Sequence, residues 1–173
     1  MATIKPNDGK ISPSPGYVSP FKRVVMEERI DDALSCVAIL TNQSLADIKK
    51  LAYQHGFPEH GPAWVGDPLI AKLLYQHGLV GSAYKQADSL SAMPDVAILL
   101  ANYNPATEIG RHVVWHHVRG TADQAAFHYV VDPASWLDPK HHVTTDFKHL
   151  KLDQKPIYYI EVTQRPDLTR KSK

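Results

Sequence analysis

Two runs carry the clearest signal of the fold: His112-Val-Val-Trp-His-His-Val118 and, after a polar loop, Ala126-Phe-His-Tyr-Val-Val131. Both are short, rich in β-branched and aromatic residues, and bounded by turn residues, which is the pattern of β-strands. The loop 119–125 allows the two runs to pair side by side. Alternation places every second residue from His112 on one face of the sheet and the intervening residues on the other face.

The same composition recurs at residues 96–101 and 156–162, which predicts two further strands. Together with the first two runs, they indicate a mostly antiparallel sheet. The segments 81–94 and 135–155 lack this pattern, and we predict loops or irregular structure there.

The first half of the chain carries helical signals instead. Ser44-Leu-Ala-Asp47 is a capping box, and the apolar spacing that follows predicts a helix over 44–55. Asp67-Pro68 predicts the N-cap and first residue of another helix, which stops at Gly78. Both segments end in Tyr-Gln-His-Gly, where glycine supplies the left-handed residue of a C-cap.

An earlier helix is predicted around the single cysteine. Asp31-Asp-Ala-Leu-Ser35 supplies capping residues before the apolar run 36–41, so the first turn of this helix would contain Cys36. The preceding residues 21–28 predict a short strand. Helices in the first half and antiparallel strands in the second favour an α+β fold, with N-terminal helices packed on a C-terminal antiparallel sheet.

The two ends of the chain differ in composition from its middle. Residues 1–20 contain four of the 13 prolines, which predicts an extended arm, with a disordered tail as the alternative. Residues 21–165 form one predicted domain, and residues 166–173 a polar tail.

Composition excludes several classes of function. In 173 residues, one cysteine rules out an intramolecular disulfide, and a formal net charge of +1 gives no electrostatic footprint for nucleic acid or an anionic membrane. No apolar run approaches the ~18 residues of a membrane span, and the N-terminal sequence lacks the pattern of a signal peptide. We therefore expect a cytoplasmic protein, or one exported without a cleavable signal. Its oligomeric state is open.

Three residues could together perform nucleophilic catalysis. Cys36 at a helix N-terminus would be stabilised as a thiolate, or would otherwise be a small buried side chain. His112, which opens a strand after Gly110, is placed as a general base, although single strand histidines are common. Asp132, before Pro133, could orient the imidazole, or could simply start a turn.

In this order, the three motifs resemble the papain-like cysteine peptidase superfamily, most closely the compact bacterial double-glycine (bacteriocin-processing) peptidase-like proteins. The matching runs are Ser35-Cys-Val-Ala-Ile-Leu40, Gly110-Arg-His-Val-Val114 and Val130-Val-Asp-Pro133. The resemblance implies a papain-like fold over residues 21–165. It also implies a hydrolase of amide or peptide bonds that acts through Cys36, His112 and Asp132 and an acyl-thioester intermediate, with a peptide or protein as substrate.

Two positions depart from this family pattern. The family has Gln six residues before the nucleophile, where this chain has Ile30, and Val37 replaces the glycine that follows it. Loss of an oxyanion donor typically costs about 10²–10³ in rate. The alternatives are therefore a catalytically impaired binding protein whose cleft is lined by tryptophan and tyrosine, or an acyltransferase or transglutaminase-like enzyme on the same triad. The tryptophans are Trp64, Trp115 and Trp136.

The chain has ten histidines, but they predict no metal site and no cofactor. His112 and His116 would share a face of one strand, yet four residues along a strand span roughly 13 Å, too far for one metal ion. Only a combination such as Cys36, His112 and His128 could bring three ligands together.

Overall fold

The structure, a computed structural model, describes residues 12–61 and 63–167. In this part of the chain, three helices pack on a six-stranded antiparallel sheet, which confirms the α+β class. The strand order is β1-β6-β2-β3-β4-β5. The helices are α1 (Asp32–Thr41), α2 (Leu45–Gln54) and α3 (Asp67–Tyr75), and the strands are β1 (Leu79–Ala87), β2 (Val96–Asn104), β3 (Ile109–Val118), β4 (Phe127–Val131), β5 (Val143–Thr144) and β6 (Ile157–Gln164).

The hairpin predicted from the two apolar runs is confirmed. Strands β3 and β4 are antiparallel neighbours, with Trp115 opposite Val130. The two other predicted strands correspond to β2 and β6, which pair with each other in the centre of the sheet. The prediction of a loop over 81–94 is wrong in its first part, because β1 pairs with β6 along this edge. Gly81, Lys85 and Gln86 give β1 a composition unlike that of the central strands.

Alternation along the strands divides the hydrophobic residues into two layers. Ile98, Val114 and Ile160 face the helices and belong to the larger core cluster. Val113 and Trp115 face the opposite side, where the irregular segment after β5 contributes Leu150 to the smaller cluster. The sheet is therefore buried on both faces along β2 and β3.

Helices α2 and α3 follow their sequence signals with one correction. Helix α2 begins as predicted, since Ser44 is its N-cap and its side chain accepts a hydrogen bond from the Asp47 N–H. The N-cap of α3 is Gly66 rather than Asp67. Gly56 and Gly78 both have positive φ, as expected of the residue that ends a helix.

The predicted position of Cys36 in α1 is wrong. The helix begins at Asp32, so Cys36 lies in the second turn and its N–H is not one of the free groups of the helix terminus. The strand predicted over 21–28 is also wrong, because these residues form no strand. They are held by other contacts, such as the hydrogen bond from the Met26 N–H to the Pro133 carbonyl.

Part of the N-terminal arm contacts β4. The hydroxyl groups of Ser19 and Tyr129 lie 2.5 Å apart, and the rings of Tyr17 and Phe127 meet edge to face. Residues 1–11 of the predicted arm and residues 168–173 of the predicted tail lie outside the described residues. Within the described ranges, none of the helices has both the length and the apolar character needed to cross a membrane.

Candidate functional site

The first turn of α1 meets the first half of β3 at a partly buried polar contact. The carboxylate oxygen Oδ2 of Asp32 accepts a hydrogen bond of 2.6 Å from the backbone N–H of His112 and lies 2.8 Å from Nδ1 of the same residue. Burial alone would raise the pKa of Asp32, but the hydrogen bonds and charge of His112 outweigh it and lower that pKa. Asp32 is therefore ionised at neutral pH.

The other ring nitrogen of His112 contacts Tyr84 on β1. Its Nε2 lies 2.6 Å from the Tyr84 hydroxyl. Because an ionised carboxylate can only accept hydrogen bonds, Nδ1 carries a proton and donates a hydrogen bond to Asp32. In the neutral imidazole, Nε2 then accepts from the Tyr84 hydroxyl. Asp32, His112 and Tyr84 thus form a continuous hydrogen-bonded chain, which we call the polar relay.

Cys36 lies one turn further along α1 and is fully buried in the larger core cluster. Burial, and next the negative charges of Asp32 and Asp132, raise the pKa of its thiol well above the usual value. Both nitrogens of His112 are bonded to other groups, and none of the hydrogen bonds between described residues joins Cys36 to His112.

Asp132 is fully buried on the opposite face of the sheet. Its Oδ1 accepts a hydrogen bond of 2.6 Å from Arg111 and one of 3.0 Å from the Ala134 N–H. Arg111 precedes His112 in β3, so the two side chains point to opposite faces. Among the described residues, no hydrogen bond or ion pair links Asp132 to His112. Cys36, His112 and Asp132 are therefore not joined into a hydrogen-bonded triad.

The sequence alone does not identify Asp32 and Tyr84 as site residues. It marks Asp32 only as a capping residue, although two adjacent acids before an apolar helix are an available signal. The structure gives the two acids different partners. Asp32 contacts His112, whereas Asp31 accepts hydrogen bonds from Lys49 and from the Glu28 N–H. Tyr84 lies in the segment predicted as a loop, and no local motif marks it.

An open groove of about 660 Å³ lies beside the polar relay. Four strands contribute to it, and the loop before α3 adds Trp64, whose side chain is 75% exposed. The rings of Tyr103 on β2 and Tyr158 on β6 pack against each other, with ring centroids 4.9 Å apart. Two residues of the polar relay, His112 and Tyr84, line this groove. Of the other tryptophans, Trp115 is buried in the core and Trp136 is exposed elsewhere.

No group of three or more His, Cys, Asp or Glu side chains within residues 12–61 and 63–167 is placed to hold a metal ion. Comparisons with protein-family models, with curated proteins and with solved structures find no match. What distinguishes the site is a partly buried polar relay beside an aromatic groove.

A separate buried cluster surrounds Asp132. The ring of His149 stacks on His141, and its Nε2 approaches Asp132 Oδ2 to 3.6 Å, which is too long for a hydrogen bond. Neither ring nitrogen of His149 has a hydrogen-bond partner among the described residues. Burial, then the charge of His141, lowers the pKa of His149, despite the opposing effect of Asp132.

This cluster predicts loss of stability in mild acid. Since the folded-state pKa of His149 is below its unfolded value, the unfolded chain binds the proton more readily, and stability that is complete above about pH 6.5 falls as the pH decreases. Burial also lowers the pKa of His116 and His128, which act in the same direction. We expect the Tm to fall between about pH 7.5 and about pH 5.5, and His149→Phe to make this fall smaller.

Thermal unfolding followed by circular dichroism across this pH range measures the effect. The exposed His60 provides the matched control, His60→Phe. An equal Tm decrease in wild type and His149→Phe would contradict a role for His149. The carboxylate Asp32 does not interfere, because its lowered pKa affects stability only at more acid pH, near and below about 4.

Proposed function

We propose that this chain is a catalytically impaired papain-like binding protein that holds an extended peptide in the groove. The observation that carries the proposal is the identity of the residue beside His112. At the N-terminus of α1, where a papain-like enzyme would hold its thiol, the residue in contact with the imidazole is Asp32.

The chemistry of Asp32 argues against amide hydrolysis at this position. An ionised carboxylate with a lowered pKa is a weak nucleophile, and it is already occupied by two hydrogen bonds from His112. Counted from Asp32, the position six residues earlier is Met26, a buried apolar side chain that cannot donate to an oxyanion. Asp32 and Met26 therefore supply neither the nucleophile nor the oxyanion donor of a papain-like enzyme, although the helix and the strand of the site are present.

The groove supports peptide binding for a different reason. Its wall is made by side chains from neighbouring strands and includes Trp64 and Ile109, which are both largely exposed. Large aromatic side chains bind apolar and cationic groups with little loss of conformational freedom. Ligand sites are typically concave, mostly apolar surfaces with a few fixed polar groups, which in this groove are His112 and Tyr84.

The cysteine hydrolase and the acyltransferase both require Cys36 as nucleophile. Their thiol would have to be ionised and reachable, whereas Cys36 has no exposed surface and a raised pKa. Both of these functions therefore require a reactive Cys36, whereas peptide binding does not.

Affinity selection from a defined synthetic decapeptide library tests the proposal. We expect the wild-type protein to retain a subset of peptides and to release them intact, because the relay provides no thiol. Trp64→Ala should lose most of this retention, since Trp64 contributes an exposed aromatic wall of the groove. Trp136→Ala is the matched control, because Trp136 is similarly exposed but does not line the groove.

Two results would contradict the binding function. Retention that is no greater than on an empty support, or that is equal in wild type and Trp64→Ala, would remove the groove as the site. Recovery of shortened peptides that depends on Cys36 would instead support the hydrolase.

A further inference from the structure

We propose that the groove selects a cationic side chain, lysine or arginine, in the peptide that it binds. This inference rests on the proposed peptide-binding function and adds a chemical class to it. It is carried by the combination of aromatic faces with negative charge and by the absence of an opposing cation among the described residues that line the groove.

The aromatic residues of the groove are suitable for contact with a cation. A cation within about 6 Å of an aromatic ring centre is attracted to the negative face of the ring. Trp64, the strongest ring type for this interaction, is 75% exposed, and Tyr84 is 37% exposed. Tyr103 and Tyr158 are tilted by 55° to each other, so they present two differently oriented rings to the same groove.

Negative charge is concentrated at the same place. Glu108 lines the groove and is exposed. Behind the lining, Asp67 accepts a hydrogen bond from the Tyr84 N–H, and Asp32 contacts His112. Burial, and then the charges of Asp67 and Asp32, raise the pKa of the Tyr84 hydroxyl.

In the described part of the chain, no positive side chain of the groove opposes these acids. None of the described residues that line the groove is lysine or arginine. His112 does not add net positive charge, because with Asp32 it forms a pair that is negative when the imidazole is neutral and neutral when it is protonated. The nearby Lys85 of β1 is already ion-paired with Glu161. A cation entering the groove therefore meets attraction from rings and from carboxylates together.

A pair of small probes tests the selectivity directly. Nα-acetyl-lysine methylamide and Nα-acetyl-norleucine methylamide have side chains of similar length and differ in the terminal ammonium group. We expect the lysine probe to bind about 10-fold more tightly in an NMR titration, because both the aromatic faces and the Glu108 carboxylate attract its ammonium group. The signals expected to move are the Trp64 indole N–H and the amides around Glu108.

Two variants test whether the Glu108 carboxylate causes the difference in affinity between the two probes. Glu108→Gln should lower the ratio of lysine-probe to norleucine-probe affinity about threefold, the size of one exposed charge interaction. Glu59→Gln, at an exposed acid outside the groove lining, is the matched control and should change neither affinity.

The outcomes separate this inference from the proposed function. If both probes bind equally in wild type, or if Glu108→Gln and Glu59→Gln behave alike, the selection of a cation is wrong while the groove remains a peptide site. If library peptides are retained through Trp64 without enrichment of lysine or arginine, the same conclusion follows. If neither probe binds and no peptide is retained, both proposals fail.

Discussion

The variant Asp32→Cys is expected to gain a reactive thiol, whereas Cys36 of the wild-type protein should resist alkylation in the native state. The reason is the position of each residue relative to His112. Asp32 contacts Nδ1 of His112 at the helix N-terminus, and a thiol there would have a basic imidazole and free helix N–H groups as partners. Cys36 has neither exposure nor a hydrogen bond to His112.

Alkylation by iodoacetamide across a range of pH measures this difference. The Asp32→Cys thiol, introduced together with Cys36→Ala so that only one thiol is present, should react with an apparent pKa below the usual value of about 8.5. Near neutral pH, we expect it to react at least about 10-fold faster than Cys36 of the wild type, because reaction at Cys36 requires local unfolding. Mass mapping assigns the labelled residue.

Removing the imidazole is the matched control. His112→Gln in the same background should return the apparent pKa of the new thiol towards its usual value. Rapid labelling of Cys36 in the folded wild-type protein would contradict the proposed function and favour the cysteine hydrolase. We expect the new thiol to hydrolyse peptides slowly at best, because Met26 supplies no donor for an oxyanion.

The variant Arg111→Met is expected to destabilise the folded protein strongly. Asp132 has no exposed surface, and Arg111 is the charged group hydrogen-bonded to its Oδ1. Removing one partner of a buried ion pair leaves an uncompensated charge and typically costs about 3–5 kcal/mol. This is a large share of the ~5–15 kcal/mol that usually separates folded from unfolded chains.

Urea denaturation gives the free energy of unfolding. Lys85→Met, which breaks the exposed ion pair with Glu161, is the matched control and should lower that free energy much less. The double variant Arg111→Met with Asp132→Asn should recover part of the loss, because the buried charge is then removed. An equal effect of Arg111→Met and Lys85→Met would show that the Asp132 pair contributes little.

Asp132 matches the acid of the predicted triad in sequence, but its ion pair with Arg111 gives it a different position in the structure. It follows an apolar strand and precedes proline, as the resemblance requires. In the structure, Arg111 holds it on the face of β3 opposite to His112, and Arg23 donates hydrogen bonds to the carbonyl groups of Asp132 and Ala134. These contacts support a structural role at the end of β4.

Local sequence was sufficient for most of the secondary structure. The capping box at Ser44, the apolar runs of β2, β3, β4 and β6, and the glycines after α2 and α3 are signals that act over a few residues, and they give the expected elements. Strand β1 was missed because its ladder with β6 joins residues far apart in the chain. The composition of β1 itself does not indicate a strand.

Sequence patterns alone predict the α+β class and the β3–β4 hairpin. They also place His112 in a strand, but not at its start, because β3 begins at Ile109. The tertiary structure decided which residues His112 contacts, because hydrogen bonds to Asp32 and Tyr84 link α1, β3 and β1 across long stretches of chain. Packing also buries Cys36, because every residue of α1 from Ala33 to Ile39 lies in the interior of the protein. Spacing in the sequence does not contain this information, because Asp31, Asp32 and Ser35 are all residue types that can cap the helix ahead of the same apolar run.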